Sequence, residues 1–220
     1  MIFPFLTLFL IFATVTFVTM RRSTNNYKRE QEKFFERERL ANSVRKQPIN
    51  DLNYISIDIS KIPMPESNNE RTIDLQNEMQ KLSKLTIANL SEYTNTDLKL
   101  KYGAANLPAL TDFDQNYTSM CRIFYELSLQ YYNEGFTQEA KKLLEYGIEC
   151  GTDLNTHYLL LADIYVSEGT IEKIDSLINS AENLKTLLKD SLLRKLEEKK
   201  SFTDKMNVVL SDEPLENLEL

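Results

Sequence analysis

The sequence predicts an all-α protein: antiparallel helical hairpins with flanking helices, preceded by a single N-terminal transmembrane helix. Three observations carry this expectation. The chain has only 5 glycines and 6 prolines in 220 residues and is rich in Leu, Glu, Lys and Asn. Its first twenty residues carry no charge. Between Phe124 and Ala181 the sequence repeats itself in kind at a shift of 34 residues. A composition of 42% hydrophobic and 27% charged residues fits a folded chain, long enough for one domain and an accessory segment.

The opening segment, MIFPFLTLFLIFATVTFVTM, rises far enough as a helix to cross a hydrocarbon core of about 30 Å. A cleaved signal would carry a basic start, a shorter apolar core and a small-residue cleavage site; Thr16–Met20 offers none. Residues 1–20 therefore read as a retained anchor. Arg21, Arg22, Lys28, Arg29 and Lys33 follow it directly, so the positive-inside rule places the C-terminal body in the cytoplasm at the cell membrane. Two cysteines without a partner motif, Cys121 and Cys150, agree with a reducing compartment. The sequons at Asn89 and Asn116 matter only for the opposite topology.

Residues 21–47 read as a charged juxtamembrane helix ended by Pro48, with nine Lys/Arg against four Glu. Lys33 stands three before Glu36 in this run of mixed charge. The remainder is strongly acidic, since the whole chain has a net charge of -7. A basic neck on an acidic body excludes a nucleic-acid binder, whose basic surface belongs on the folded domain. Phe34, Phe35 and Leu40 are placed to touch headgroups or a neighbouring helix. Residues 48–69 read as an extended connector: Ile55, Ile57 and Ile59 alternate with polar residues, and Pro63 and Pro65 close the run. With no second strand in view, the connector is expected to lie as an arm across the helical body.

That body spans residues 70–205. Leu75, Met79, Leu82 and Leu90 predict one helix over the first part, to about residue 92. Gly103, Asn106 and Pro108 then predict a long loop with one short helix. The 34-residue shift pairs Phe124 with Tyr158, Leu127 with Leu161, Ser128 with Ala162, Tyr131 with Tyr165 and Gly135 with Gly169, and continues through Ala140 with Ile174, Leu144 with Ile178 and Gly147 with Ala181. Leu188, Leu192 and Leu196 predict a capping helix over Leu184–Lys200, and residues 206–220 form an acidic tail whose Leu215, Leu218 and Leu220 are placed to dock on a partner.

Phe124, Leu127, Ser128 and Tyr131, repeated by Tyr158, Leu161, Ala162 and Tyr165, resemble the tetratricopeptide repeat, a helix-turn-helix unit of the same period. Ile174 departs from its small residue, and Thr152 and Thr186 stand where it usually has proline. The resemblance implies a binding groove lined by the first helix of each unit, at Arg122, Tyr125, Tyr132 and Asn133, then Thr156, Asp163 and Ser167. It implies a protein or peptide as partner, with no small-molecule substrate. ANSVRKQPINDLNYISIDISKIP and NTDLKLKYGAANLPALTDFDQNY also resemble a family of uncharacterised membrane-anchored proteins from anaerobic Gram-positive bacteria, which implies a shared architecture and no activity.

Chemistry has little to stand on. His157 is the one histidine and reads as a polar cap or surface residue at a helix start. No phosphate-cradling or zinc-protease motif occurs. Asp112, Asp114 and Asn116 have the rhythm of a calcium loop, but Tyr117 replaces its glycine and Ile123 its closing glutamate, so Asp112 or Asp114 reads as a helix N-cap. The expectation is a membrane-anchored scaffold without catalysis, cofactor or metal. The rival is a permanent structural or regulatory subunit of a membrane complex, and a weaker third reading is hydrolysis or metal binding at His157.

Overall fold

Helix α1, Phe3–Ser43, joins the expected anchor and neck in one unbroken element. Pro4 sits in its first turn, where a missing N–H costs nothing. The apolar stretch exposes Phe5, Leu8, Phe9, Ile11, Phe12 and Val15 to their surroundings. Its polar groups are satisfied within the helix: the hydroxyls of Thr14, Thr16 and Thr19 each donate to a carbonyl one turn back, at 2.9 Å. Such internal bonding is what a segment in hydrocarbon needs. This one helix is long and apolar enough to cross a membrane. The computed structural model describes residues 3–212, so Leu215, Leu218 and Leu220 lie outside the described residues.

The chain divides into two compact units. One contains the residues up to 51 together with 93–110, the other 52–92 together with the chain from 111 onward. In the first unit α1 packs against α3, Asn95–Tyr102, whose start is fixed by a reciprocal capping box between Thr94 and Asp97. Lys99 donates to Glu38 at 2.8 Å, Thr96 also bonds Glu38, and Arg37 pairs with Asp97 at 2.6 Å. Those donors hold the carboxyls of Glu38 and Asp97 below their usual range, Lys99 leading for Glu38 and Thr94 for Asp97. Ala41 is fully buried on α1.

Helix α1 ends at Ser43, short of the stop expected at Pro48. The backbone after it is engaged elsewhere. Gln47 N–H donates to the Tyr102 carbonyl at 2.9 Å, and Asn106 Nδ2 donates to the carbonyls of Gln47 and Tyr102, both at 2.7 Å. The long loop expected over residues 94–117 is instead α3, a 3-10 turn and the start of helix α4, Leu107–Asn133. Pro108 lies in the first turn of α4, so it opens a helix rather than breaking a loop, its missing N–H being one that a helix start leaves unpaired.

In the second unit the connector is largely the expected arm. A two-residue strand β1, Tyr54–Ile55, pairs antiparallel with β2, Ile87–Ala88, and the second strand is the element the sequence did not reveal. Beyond it, Ile57 and Ile62 are buried and the backbone is pinned in series. Asp58 N–H donates to the Tyr146 hydroxyl at 2.7 Å, Tyr131 donates to the Pro63 carbonyl at 2.9 Å, and Gln76 donates to the Pro65 carbonyl at 3.0 Å. Helix α2, Glu70–Leu82, is capped by Asn69, which accepts from Arg71 N–H at 2.9 Å. It stops well before the expected residue 92, and Leu90 is buried from the loop that follows β2. Asp112 and Asp114 are not caps, because α4 has already begun at Leu107. Asp114 accepts Leu90 N–H and Asn116 donates to the Thr86 carbonyl, both at 2.9 Å, tying that loop to α4.

After α4 come α5, Thr137–Glu149; α6, Asn155–Ser167; α7, Glu172–Glu182; and α8, Lys189–Asp212. The turns closing α4 and α6 are alike. Gly135 and Gly169 take φ of 86° and 71°, where a Cβ is strained. In each, the residue after the glycine bonds back five residues: Phe136 N–H to the Tyr131 carbonyl at 2.8 Å, and Thr170 N–H to the Tyr165 carbonyl at 2.9 Å. This is the Schellman ending of a helix. Of the eight residue pairs related by the shift of 34, seven match in burial, six pairs buried and the turn glycines both exposed; the exception is Leu144, fully buried, with Ile178, only partly so. Ile174 is fully buried, so its extra bulk replaces the small residue inside the core. Helix α8 buries Leu192 and Leu196 as expected, while Leu188 lies in the preceding loop and is exposed because the helix starts one residue later. The helix also runs to Asp212, into the segment expected to be tail.

Candidate docking face

The positions expected to line a groove fall on two helices, Arg122, Tyr125, Tyr132 and Asn133 on α4, and Thr156, Asp163 and Ser167 on α6. At about 100° per residue the four on α4 share a sector of roughly 100°, opposite Phe124, Leu127 and Tyr131; the three on α6 share roughly 40°, opposite Tyr158, Leu161 and Tyr165. The buried residues of each helix hold it to its neighbours: Phe124 meets Tyr146 of α5 edge to face at 5.8 Å. What remains faces outward. Six of the seven are exposed, and Tyr125 is half-buried.

Their chemistry divides them. Arg122 is held by Glu78 of α2 at 2.9 Å and by Glu126 at 3.3 Å, which raise its already high pKa, Glu78 most. Asp163 pairs with Lys199 of α8, and Ser167 donates to the Ile164 carbonyl at 2.8 Å. The side chains of Tyr125, Tyr132, Asn133 and Thr156 make no hydrogen bond among the described residues, which leaves two phenols, an amide and a hydroxyl free for an incoming group. One flank of α4 is occupied by α2, through Arg71 with Glu126, Thr72 with Glu134, and Gln76 donating to the Tyr131 hydroxyl at 2.9 Å.

His157 is neither cap nor surface residue. Leu154 occupies the N-cap position of α6, so His157 falls on the inward side of the first turn and is fully buried. It fits because Gly147 on α5 has no side chain: a Cβ there would lie 2.4 Å from Cε1 of the ring. Nε2 donates to the Leu144 carbonyl at 2.8 Å, and Nδ1 has no partner among the described residues. Burial pushes its pKa down to about 4, so the ring is neutral at physiological pH. Cys121 is buried and Cys150 half-buried, and burial raises both thiols, which leaves little thiolate. Among the described residues no group of three or more His, Cys, Asp or Glu is placed to hold a metal ion.

A concavity lies elsewhere, at a place the sequence does not point to. A cleft of about 340 Å³ is lined by Asn89, Ser91, Asp153, Tyr158, Ser180 and Thr186, with an ion pair of 2.7 Å between Glu92 and Lys185 beside it. Its walls come from the loop after β2, the α5–α6 turn and the end of α7, segments far apart in the chain and without a shared spacing. Comparison of the chain with protein-family models, with characterised proteins and with solved structures yields no match.

Proposed function

We propose that this chain is a single-pass membrane protein whose helical body, on the cytoplasmic side, serves as a non-catalytic scaffold of the tetratricopeptide type for a protein or peptide partner. The observation that carries the reading is the coincidence of two features at a spacing of 34 residues. The glycine turns closing α4 and α6 have the same bond pattern, and the apolar set of both helices points inward, leaving unbonded polar side chains outward. Tyrosine at such a surface presents a large contact area with few rotors to freeze, and a phenol to satisfy. The sealed, neutral ring of His157 supports a role without acid-base chemistry, since a general base must reach the proton it removes. The cations after the apolar span support the cytoplasmic placement of the body.

The test is crosslinking of the full-length protein in native membranes, beside a variant with Tyr125, Tyr132 and Thr156 changed to alanine. Loss of a reproducible partner in the variant places recognition on the α4–α6 face; capture that survives moves it elsewhere. A second reading, a permanent subunit of a membrane complex, is favoured by Leu187 and Leu188, which stand exposed in the loop before α8. Capture lost on Leu187→Ser and Leu188→Ser, and not on the face variant, selects that reading.

A further inference from the structure

The cations that follow the apolar span are grouped on one side of α1. At about 100° per residue, Arg21, Arg22, Lys28 and Arg29 share a sector of roughly 120°. Glu38 and Ala41, which face α3, lie on the opposite side of the helix, together with Tyr27 and Phe34. All four cations are exposed, and none has an ion-pair partner among the described residues. The cations further along are engaged: Lys33 with Glu30 at 2.8 Å, Arg37 with Asp97 at 2.6 Å and Arg39 with Glu36 at 4.0 Å. The cations of α1 without an ion-pair partner are therefore those next to the span, on one side of it; Glu32, exposed in the same sector one turn beyond Lys28 and Arg29, leaves that side net positive, four charges against one.

We infer that this face is a binding surface for the headgroups of anionic phospholipids, an inference that rests on the membrane-spanning reading of α1. Charge complementarity identifies the occupant, because a phospholipid surface is the polyanion that this stretch of helix meets wherever the span is inserted. The reach is sufficient. Lys28 and Arg29 stand about 12 Å along the axis from Arg21, and the headgroup layer adds about 5–8 Å beyond the hydrocarbon. Their long stems bend back toward that layer, and tilt of the helix toward its basic side closes the rest. The tilt then has a direction: α3 lies on the side of α1 that turns away from the bilayer.

The chain contains no tryptophan, so a single introduced one reports its own surroundings. Three full-length variants are reconstituted in vesicles carrying brominated acyl chains: Val15→Trp within the span, Asn25→Trp at the centre of the basic face, and Tyr27→Trp on the opposite face. The vesicles are phosphatidylcholine alone or with about 30 mol% phosphatidylglycerol. Val15→Trp is expected to be quenched in both. Asn25→Trp is expected to shift to the blue and to be quenched more strongly only with phosphatidylglycerol, Tyr27→Trp staying unchanged. The Asn25→Trp response is expected to vanish in about 0.5 M salt, where screening acts within a few ångströms, and on changing Arg21, Arg22, Lys28 and Arg29 to glutamine. A quenched Val15→Trp with an Asn25→Trp signal indifferent to lipid charge overturns the headgroup surface and leaves the span standing. Equal responses at Asn25→Trp and Tyr27→Trp overturn the one-sided face. An unquenched Val15→Trp overturns the span itself, and the inference with it.

Discussion

Gly147 is helical, within α5, so substitution by alanine should by backbone propensity alone stabilise the protein by about 0.5–1 kcal/mol. The packing argues the reverse. The new Cβ would stand 2.4 Å from Cε1 and 2.7 Å from Nε2 of His157, with Phe124 Cδ2 at 3.4 Å on another side. The ring must move, and its bond to the Leu144 carbonyl breaks with it. Overpacking costs about 1–3 kcal/mol, and a buried acceptor left without its donor costs about 1–3 kcal/mol more. After the propensity gain, Gly147→Ala should destabilise by roughly 1–5 kcal/mol. Urea unfolding of the full chain in detergent, followed by far-ultraviolet circular dichroism, reads this as a lowered midpoint. In a His157→Ala background the same substitution should cost far less, because the obstacle is gone. A Gly147→Ala protein as stable as the parent, or equal costs in the two backgrounds, refutes the notch between α5 and α6.

His157 also sets a pH dependence. Its folded pKa of about 4 lies below the ordinary 6.5, so the unfolded chain takes up a proton that the folded one does not. Stability is therefore complete above about pH 6.5 and falls toward pH 4, by roughly 3 kcal/mol at about 1.4 kcal/mol per pH unit; His157→Gln should flatten urea midpoints across that window. Tyr146→Phe removes the acceptor of Asp58 N–H and should cost about 1 kcal/mol, with faster tryptic cleavage after Lys61 as the arm loosens. Gly135→Ala and Gly169→Ala add a Cβ that meets nothing within 4 Å, so each should show only the backbone cost, about 1 kcal/mol and alike at the two sites. A cost at one turn and none at the other breaks the equivalence between them.

What the sequence made legible follows from periodicity. The apolar spacing of Phe124, Leu127 and Tyr131 placed the inward side of α4 correctly, and its echo in Tyr158, Leu161 and Tyr165 did so for α6, because a helix must turn its apolar stripe to the core. The unbroken apolar run announced the first half of α1 for the same reason. What failed was local chemistry decided by distant partners. Asp112 and Asp114 look like caps until Leu107 and Pro108 are seen to start the helix five residues earlier. Leu90 continues the spacing of Leu75 and Leu82 but is buried from a loop, held there by Asp114 rather than by helical bonds. His157 looked polar and external, since nothing in its neighbourhood names Gly147 as the residue that makes room for it. The face itself was half legible: its outward direction followed from the stripe, whereas the engagement of Arg122 by Glu78 and of Asp163 by Lys199 depends on where α2 and α8 come to rest.

The unbroken course of α1 has a mechanical meaning. Residues 3–43 form a rod of about 60 Å with no proline, glycine or bulge after its first turn to act as a pivot. A twist or sideways swing applied to its apolar half has no joint in which to dissipate before Ala41, Arg37 and Glu38, where α3 is clasped. A reorientation of the apolar half is therefore carried along a further 17–21 residues of helix, roughly 25–30 Å, to the residues that clasp α3, and reaches them in the same sense.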